Sequence, residues 1–292
     1  MEKLIDEFEI YLSEVKKTSY NTLMSYKRDL QKMIKYMENC GVAQISGITE
    51  DKLFGYVGSL SEQHFAAASM IRHITTIKSF FRYLVENGNI SDNPAENLKA
   101  PKAEKRKPRI LNAHEVESLL GQEFPNDSKG KRDKAILELL YATGLKTSEL
   151  VNLRLKNIDL SLNCVRLDED RVIPYGKKAK EALNDYLLFA REQMIPDEGD
   201  ASELVFVNYK GDQMSRQGLW KLIKAYVVKA GIDLDVTPFV LRNSFAVHLI
   251  ENGADEKTLK GMLGYNDIGT IKKYIKGKDK HKDPYEWARI RN

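Results

Sequence analysis

Two side chains stand out as able to act on an anionic substrate. Arg242 follows Thr237-Pro238-Phe239-Val240-Leu241, in the second turn of a segment whose other positions are apolar. A guanidinium carries five N–H donors in a planar fork, which suits two-point contact with a phosphate or a carboxylate. The same placement fits an arginine paired to an acid, or one whose stem packs while its head reaches water. Tyr274 lies within Ile271-Lys272-Lys273-Tyr274-Ile275-Lys276, a phenol set among cations. Such a group can be a nucleophile or an ordinary core or surface residue, and with fourteen tyrosines in the chain spacing does not decide which.

Other chemistries have less support. Cys40 and Cys164, the only cysteines, have no His or Cys at metal-ligand spacing, so neither a zinc site nor a disulfide framework is expected. Gly211, Gly218 and Gly231 are each isolated, so no phosphate-cradling glycine loop is present. No metal and no cofactor are expected. The net charge of +4 permits a polyanionic partner, and its distribution says more. Lys99, Lys102, Lys105, Arg106, Lys107 and Arg109 share one short segment with a single acid, Glu104. Lys272, Lys273, Lys276, Lys278, Lys280 and Lys282 form a second cluster, interrupted by Asp279. Runs of this kind also occur as solvated linkers and tails.

The elements that must position these groups are mostly helical. Leu4, Ile5, Phe8, Tyr11 and Leu12 fall on one helical face, and Leu23, Tyr26, Leu30, Met33, Ile34 and Met37 repeat the pattern before a stop at Gly41. Thr49 caps a third helix with Leu53, Tyr56, Val57 and Leu60. Met70, Ile74, Ile77, Phe81 and Leu84 mark a fourth, ending near Asn87-Gly88. Residues 1–99 thus read as a four-helix domain. The segment 100–110, with two prolines, dense positive charge and no large apolar residue before its last position, reads as a linker.

Residues 111–292 form the second domain. Asn112 caps a short helix ending at Leu119-Leu120, and Ala135, Ile136, Leu139 and Leu140 mark the next, closed by Gly144. Asn163–Leu167 and Arg171–Pro174 read as strands joined by Asp168-Glu169-Asp170, and Leu204–Val207 as a possible third. Ser215 and Pro238 open the helices that follow. The predicted fold is mainly α, with a small antiparallel β-sheet in the second domain. No apolar run approaches the roughly eighteen residues of a membrane span, and Met1-Glu2-Lys3-Leu4-Ile5-Asp6-Glu7 lacks a secretory layout. A cytoplasmic protein without a membrane partner is expected.

The chain also resembles a known family. Arg132-Asp133-Lys134-Ala135 followed by Leu140-Tyr141-Ala142-Thr143-Gly144-Leu145-Lys146-Thr147-Ser148-Glu149-Leu150 is similar to the first conserved box of tyrosine recombinases (phage integrases), especially the bacterial Xer type. The run from Thr237 to Leu249 resembles the second box, and Leu263-Gly264-Tyr265-Asn266-Asp267 with Thr270 to Tyr274 the third box and nucleophile segment. Ile77 to Leu84, Asn93-Pro94 and Pro101-Lys102 resemble the family's N-terminal core-binding (SAM-like) module. The likeness runs in register over nearly the whole chain.

The resemblance implies two domains on duplex DNA and a metal-independent attack by tyrosine that forms a 3′-phosphotyrosyl link. It maps the nucleophile to Tyr274 and one arginine to Arg242. Other family positions are altered. The first arginine falls on Lys146, a point charge without a fork. The histidine three residues before the second arginine falls on Phe239, which offers no donor, and the later histidine falls on Tyr265. His248 matches a histidine without a chemical role. The hairpin that bears the family's lysine is shortened to Asp168-Glu169-Asp170, acids that repel phosphate unless the turn faces solvent and Arg166 or Arg171 reaches the DNA.

DNA binding is expected to survive these changes, through Lys78, Arg82, Lys102, Lys105, Arg106, Lys107, Arg109, Arg171, Lys272 and Lys273. Strand transfer is expected to be weak or absent. The alternative is a divergent active recombinase using Tyr274, with Lys146, Arg242 and Tyr265 as a minimal pocket. The tail Asp283 to Ile290 resembles an exchanged C-terminal helix, which implies a homo-oligomer such as a tetramer on DNA, or a partner recombinase.

Overall fold

The computed structural model describes residues 1–101, 109–168, 171–195 and 203–264, and the chain divides into two compact units, Met1–Arg106 and Lys107–Asn292. In the first, α1 (Glu2–Glu14), α2 (Tyr20–Asn39), α3 (Glu50–Glu62) and α4 (Ala67–Glu86) bury their apolar stripes against one another. Phe8, Leu30, Met33, Leu53, Tyr56, Ile77, Phe80 and Leu84 are almost wholly shielded. The Ser19 and Thr49 side chains accept from the Thr22 and Lys52 amides and so start α2 and α3. Gly41, at φ 76°, takes the left-handed conformation that turns the chain after α2.

This core also holds a polar network. Asp29 of α2, 2% exposed, accepts from Arg72 Nε and Nη2, both at 2.8 Å, and from Thr76 Oγ1 at 3.4 Å. His73 Nε2 lies 3.2 Å from the same carboxylate, and its Nδ1 lies 3.1 Å from the Tyr56 hydroxyl. Neutral imidazole with its proton on Nε2 satisfies both contacts. Burial pushes the His73 pKa down, Asp29 opposes this, and Arg72 and Lys32 reinforce it. The unfolded chain therefore binds this proton more readily. The stability that neutral His73 contributes is intact above pH ~6.5 and is lost as pH falls below it. Thermal midpoints taken between about pH 7 and pH 5 should fall more steeply for the wild-type chain than for His73→Gln. Equal slopes would remove His73 from the account.

The second unit is built around α6 (Ser128–Thr143), whose run from Ala135 to Tyr141 is buried on every side. It packs between α8 (Lys177–Phe189) and α10 (Pro238–Glu251), with α5 (Ala113–Gly121), α7 (Thr147–Val151), α9 (Arg216–Lys229) and α11 (Glu256–Leu263) as the other helices among the described residues. Asn112, Asp127, Ser215 and Thr237 cap α5, α6, α9 and α10 through their side chains. A three-stranded antiparallel sheet, order β1-β2-β3, joins Ile158–Asp159, Cys164–Arg166 and Val172–Pro174, with Val165 opposite Ile158 on one side and Ile173 on the other.

The third strand differs from expectation. Leu204–Val207 forms only isolated bridges, Arg154 to Leu204 and Val207 to Gln213, and Ile158–Asp159 takes the sheet position. Val205, Phe206 and Val207 are all buried, so the run is a core-filling segment, which an unbroken apolar stretch cannot distinguish from a strand. The paired Arg132 and Asp133 are structural: Arg132 Nε and Nη2 bind Asp133 Oδ1 at 2.9 and 2.6 Å, and the Tyr226 hydroxyl donates to Oδ2 at 3.2 Å.

Gly144 ends α6 in the left-handed conformation at φ 60°, and a Cβ there would stand 2.6 Å from Leu263 Cδ2 and 2.7 Å from Phe245 Cδ1. Gly144→Ala should therefore cost about 3 kcal/mol, from backbone strain and overpacking together. Chemical denaturation would read this as a lower midpoint, and a cost under about 1 kcal/mol would contradict the close approach.

Candidate functional site

The turn that Gly144 permits delivers Lys146 to the start of α7. There the Lys146 amide donates to Glu149 Oε2 at 2.7 Å, so the carboxylate folds back over the helix start. Three cations gather on this acid. Lys146 Nζ lies 3.7 Å from Oε1. Arg171, just before β3, gives Glu149 a two-pronged contact, Nη1 to Oε1 at 2.6 Å and Nη2 to Oε2 at 3.3 Å. Arg242 of α10, 3% exposed, places Nη1 4.0 Å from Oε2.

The two arginines also hold the end of α11. Arg171 Nε donates to the Met262 carbonyl at 2.8 Å, and Arg242 donates through Nη2 to the Leu263 carbonyl and through Nη1 to that of Gly144. A helix end leaves its last carbonyls without partners inside the helix, and these guanidiniums supply them. Gly264, at φ 60°, closes α11 where a Cβ would lie 3.3 Å from Arg171 Nη1. With three positive groups and one negative group, the cluster carries a formal charge of +2.

Glu149 stays ionised here. Burial would raise its pKa, but the Arg171 and Lys146 hydrogen bonds and the charge of both residues hold it below the ordinary carboxylate range. The cluster is reachable from solvent, since Lys146 is half exposed and a cleft of about 340 Å³ is walled by Ser148, Glu149, Asn152, Asn157, Asp168 and Arg171. Phe239, one turn before Arg242 on α10, is 60% exposed. His248 is turned inward, with Nδ1 2.9 Å from the Tyr141 hydroxyl. The arrangement can neutralise an oxyanion.

The structure brings Lys146, Arg171 and Arg242 together. Arg171, expected on DNA, is engaged with Glu149 and Met262. Arg166 is exposed and lies 3.4 Å from Asp159, and Asp168 and Arg109 are also exposed. In the first unit Arg82 is exposed on α4, and Lys78 Nζ donates to the Glu96 carbonyl at 3.0 Å. Tyr265, Tyr274, Lys272, Lys273, Lys102, Lys105, Arg106 and Lys107 lie outside the described residues, as do Glu169 and Asp170. Sequence reasoning did not single out Glu149, although an acid three positions after the start of a helix is the spacing of a cap. Among the described residues no group of three or more His, Cys, Asp or Glu could hold a metal ion, and no helix is long and apolar enough to cross a membrane.

Comparison with known proteins places the fold in a family. Residues 109–281 match the model of the phage integrase family, and residues 5–88 match that of the phage integrase N-terminal SAM-like domain. The chain is 38% identical over 278 residues to tyrosine recombinase XerD of Staphylococcus aureus, covering 94% of both. It is 39% identical over 266 residues, 90% of both, to a Caldanaerobacter subterraneus protein assigned to the tyrosine recombinases. Among solved structures, the fold is similar to the Tn1549 transposon integrase in complex with circular intermediate DNA, with a TM-score of 0.76 at 17% identity over 99% of this chain and 97% of that one.

Proposed function

Because this chain belongs to the phage integrase family, among the Xer-type tyrosine recombinases, we propose that it binds duplex DNA and performs strand transfer weakly or not at all. The reading takes 1–99 as a core-binding domain, 100–110 as a basic linker and 111–292 as a catalytic-type domain. The observation that supports it most is the +2 cluster around Glu149, a cradle for one backbone phosphate. Exposed Lys146 and Phe239 stand at positions where the family places an arginine and a histidine. A lysine neutralises charge without a fork, and a phenyl ring neither donates nor moves a proton. Asp168, in the wall of the same cleft, opposes a phosphate as well. Double-stranded DNA is the partner, and the C-terminal tail is the proposed contact to further copies or to a partner recombinase.

The test is a nicked suicide duplex that traps any covalent adduct, with Tyr274→Phe as control, alongside gel shifts over a salt series. Affinity should fall as salt rises, and Lys146→Ala should make the slope of log affinity against log salt shallower by ~0.9. Tyr274-dependent adduct accumulating at the rate of a working recombinase would favour the second reading, a divergent active enzyme. Convergence of Lys146 and Arg242 on one acid is the observation on that side. Affinity indifferent to salt would overturn both.

A further inference from the structure

The network around Asp29 does more than fill the core of the first unit, because one of its members faces outward. The Arg72 side chain is 46% exposed, yet two of its nitrogens are fixed on a carboxylate that is 2% exposed. That carboxylate is held in turn by Thr76 and His73, and His73 by Tyr56. A long surface side chain ordinarily loses rotamer freedom when it binds a ligand. Here that ordering is already present. Arg72 Nε and one Nη2 hydrogen are committed to Asp29, which leaves the two Nη1 hydrogens and the second on Nη2 to serve a ligand.

Its neighbours have matching chemistry. At 100° per residue, Arg72, Thr75, Ser79 and Arg82 lie within about 80° of arc on α4, opposite the buried Ile77, Phe81 and Leu84. Arg72 and Arg82 are separated by about 15 Å along the axis, so each would meet its own phosphate. Arginine with serine and threonine is the side-chain set that contacts nucleic-acid backbones.

We infer that this α4 row receives the backbone of the bound duplex, and that Asp29, backed by His73, Thr76 and Tyr56, is a positioning residue that presets Arg72 as a phosphate donor. The inference rests on the proposed duplex binding. It adds a contact in the first unit whose strength depends on orientation as well as charge.

Charge and orientation predict opposite results for one substitution. Asp29→Asn removes a negative charge beside Arg72, so a purely electrostatic surface would bind DNA more tightly. A preset donor would bind about three- to tenfold more weakly, because a neutral amide cannot hold the guanidinium as a carboxylate does. Arg72→Lys keeps the charge and loses the fork. It should weaken binding by about tenfold with an unchanged salt slope, whereas Arg72→Gln should also make the slope shallower by ~0.9. The measurement is fluorescence anisotropy of the full chain with a labelled mixed-sequence duplex over a salt series, with a thermal melt of each variant. If Asp29→Asn fails to fold, the two Arg72 variants carry the test. Unaltered affinity in Arg72→Lys, or tighter binding by folded Asp29→Asn, overturns the inference. A wild-type chain that binds no duplex would instead overturn the proposed function.

Discussion

A Lys146→Arg, Phe239→His double variant is expected to trap covalent protein–DNA adduct on a nicked suicide duplex at least about a hundredfold faster than the wild-type chain. One preorganised donor is worth roughly a hundred- to a thousandfold in rate where charge develops in a transition state. Two restored donors need not multiply, because groups that act together are not additive. Both positions tolerate the exchange. Lys146 is half exposed and Phe239 is 60% exposed, so neither substitution opens a cavity or displaces a packed neighbour. An arginine at 146 could still pair with Glu149 while presenting a planar edge, and a histidine at 239 would stand one turn from Arg242 on α10. The adduct should vanish when Tyr274→Phe is added. If the double variant binds duplex normally but forms no adduct, the deficit lies elsewhere, in the shortened acidic turn or in Tyr265.

The second large effect is on stability. Glu149→Ala should lower the stability of the second unit by about 3 kcal/mol, because it leaves the nearly buried Arg242 and Arg171 without the acid they share. For a unit of this size the thermal midpoint would drop on the order of 10 °C. Glu149→Gln keeps the acceptor shape but not the charge, so it should fall between wild type and Ala. The pH dependence has a defined sign. With its folded pKa depressed, Glu149 contributes fully above about pH 4.3, and that contribution is lost as pH falls through the lower folded value. A drop of less than about 1 kcal/mol in Glu149→Ala would mean that the three cations do not depend on it.

The helices were legible wherever a stripe and a cap coincided. Thr49, Asn112, Ser215, Pro238 and Gly144 all begin or end elements as their types require. Phe80 was passed over beside Phe81, yet both are buried, because a helix enclosed by neighbours hides more than one narrow stripe. β1 is two residues long, too short for any alternation to register. Leu204–Val207 was misassigned because enclosure, not pairing, makes it apolar.

The candidate site was legible in its cations and hidden in its acid. Lys146 and Arg242 could be named from the family's boxes, but nothing local says that Arg171, 22 residues beyond Glu149, folds back onto it. The same holds for Asp29 and Arg72, 43 positions apart. Contacts of that range are decided by how the helices stack. Pattern and propensity describe one segment at a time.

The carbonyls of Met262 and Leu263 are secured by the guanidiniums that flank Glu149. An incoming anion that recruits either arginine competes with a main-chain oxygen, so occupancy of the cradle and the closure of α11 share one equilibrium. By linkage each must bias the other by the same factor. A ligand that loosened the last turn of α11 would thereby tune the affinity of the cradle beside it.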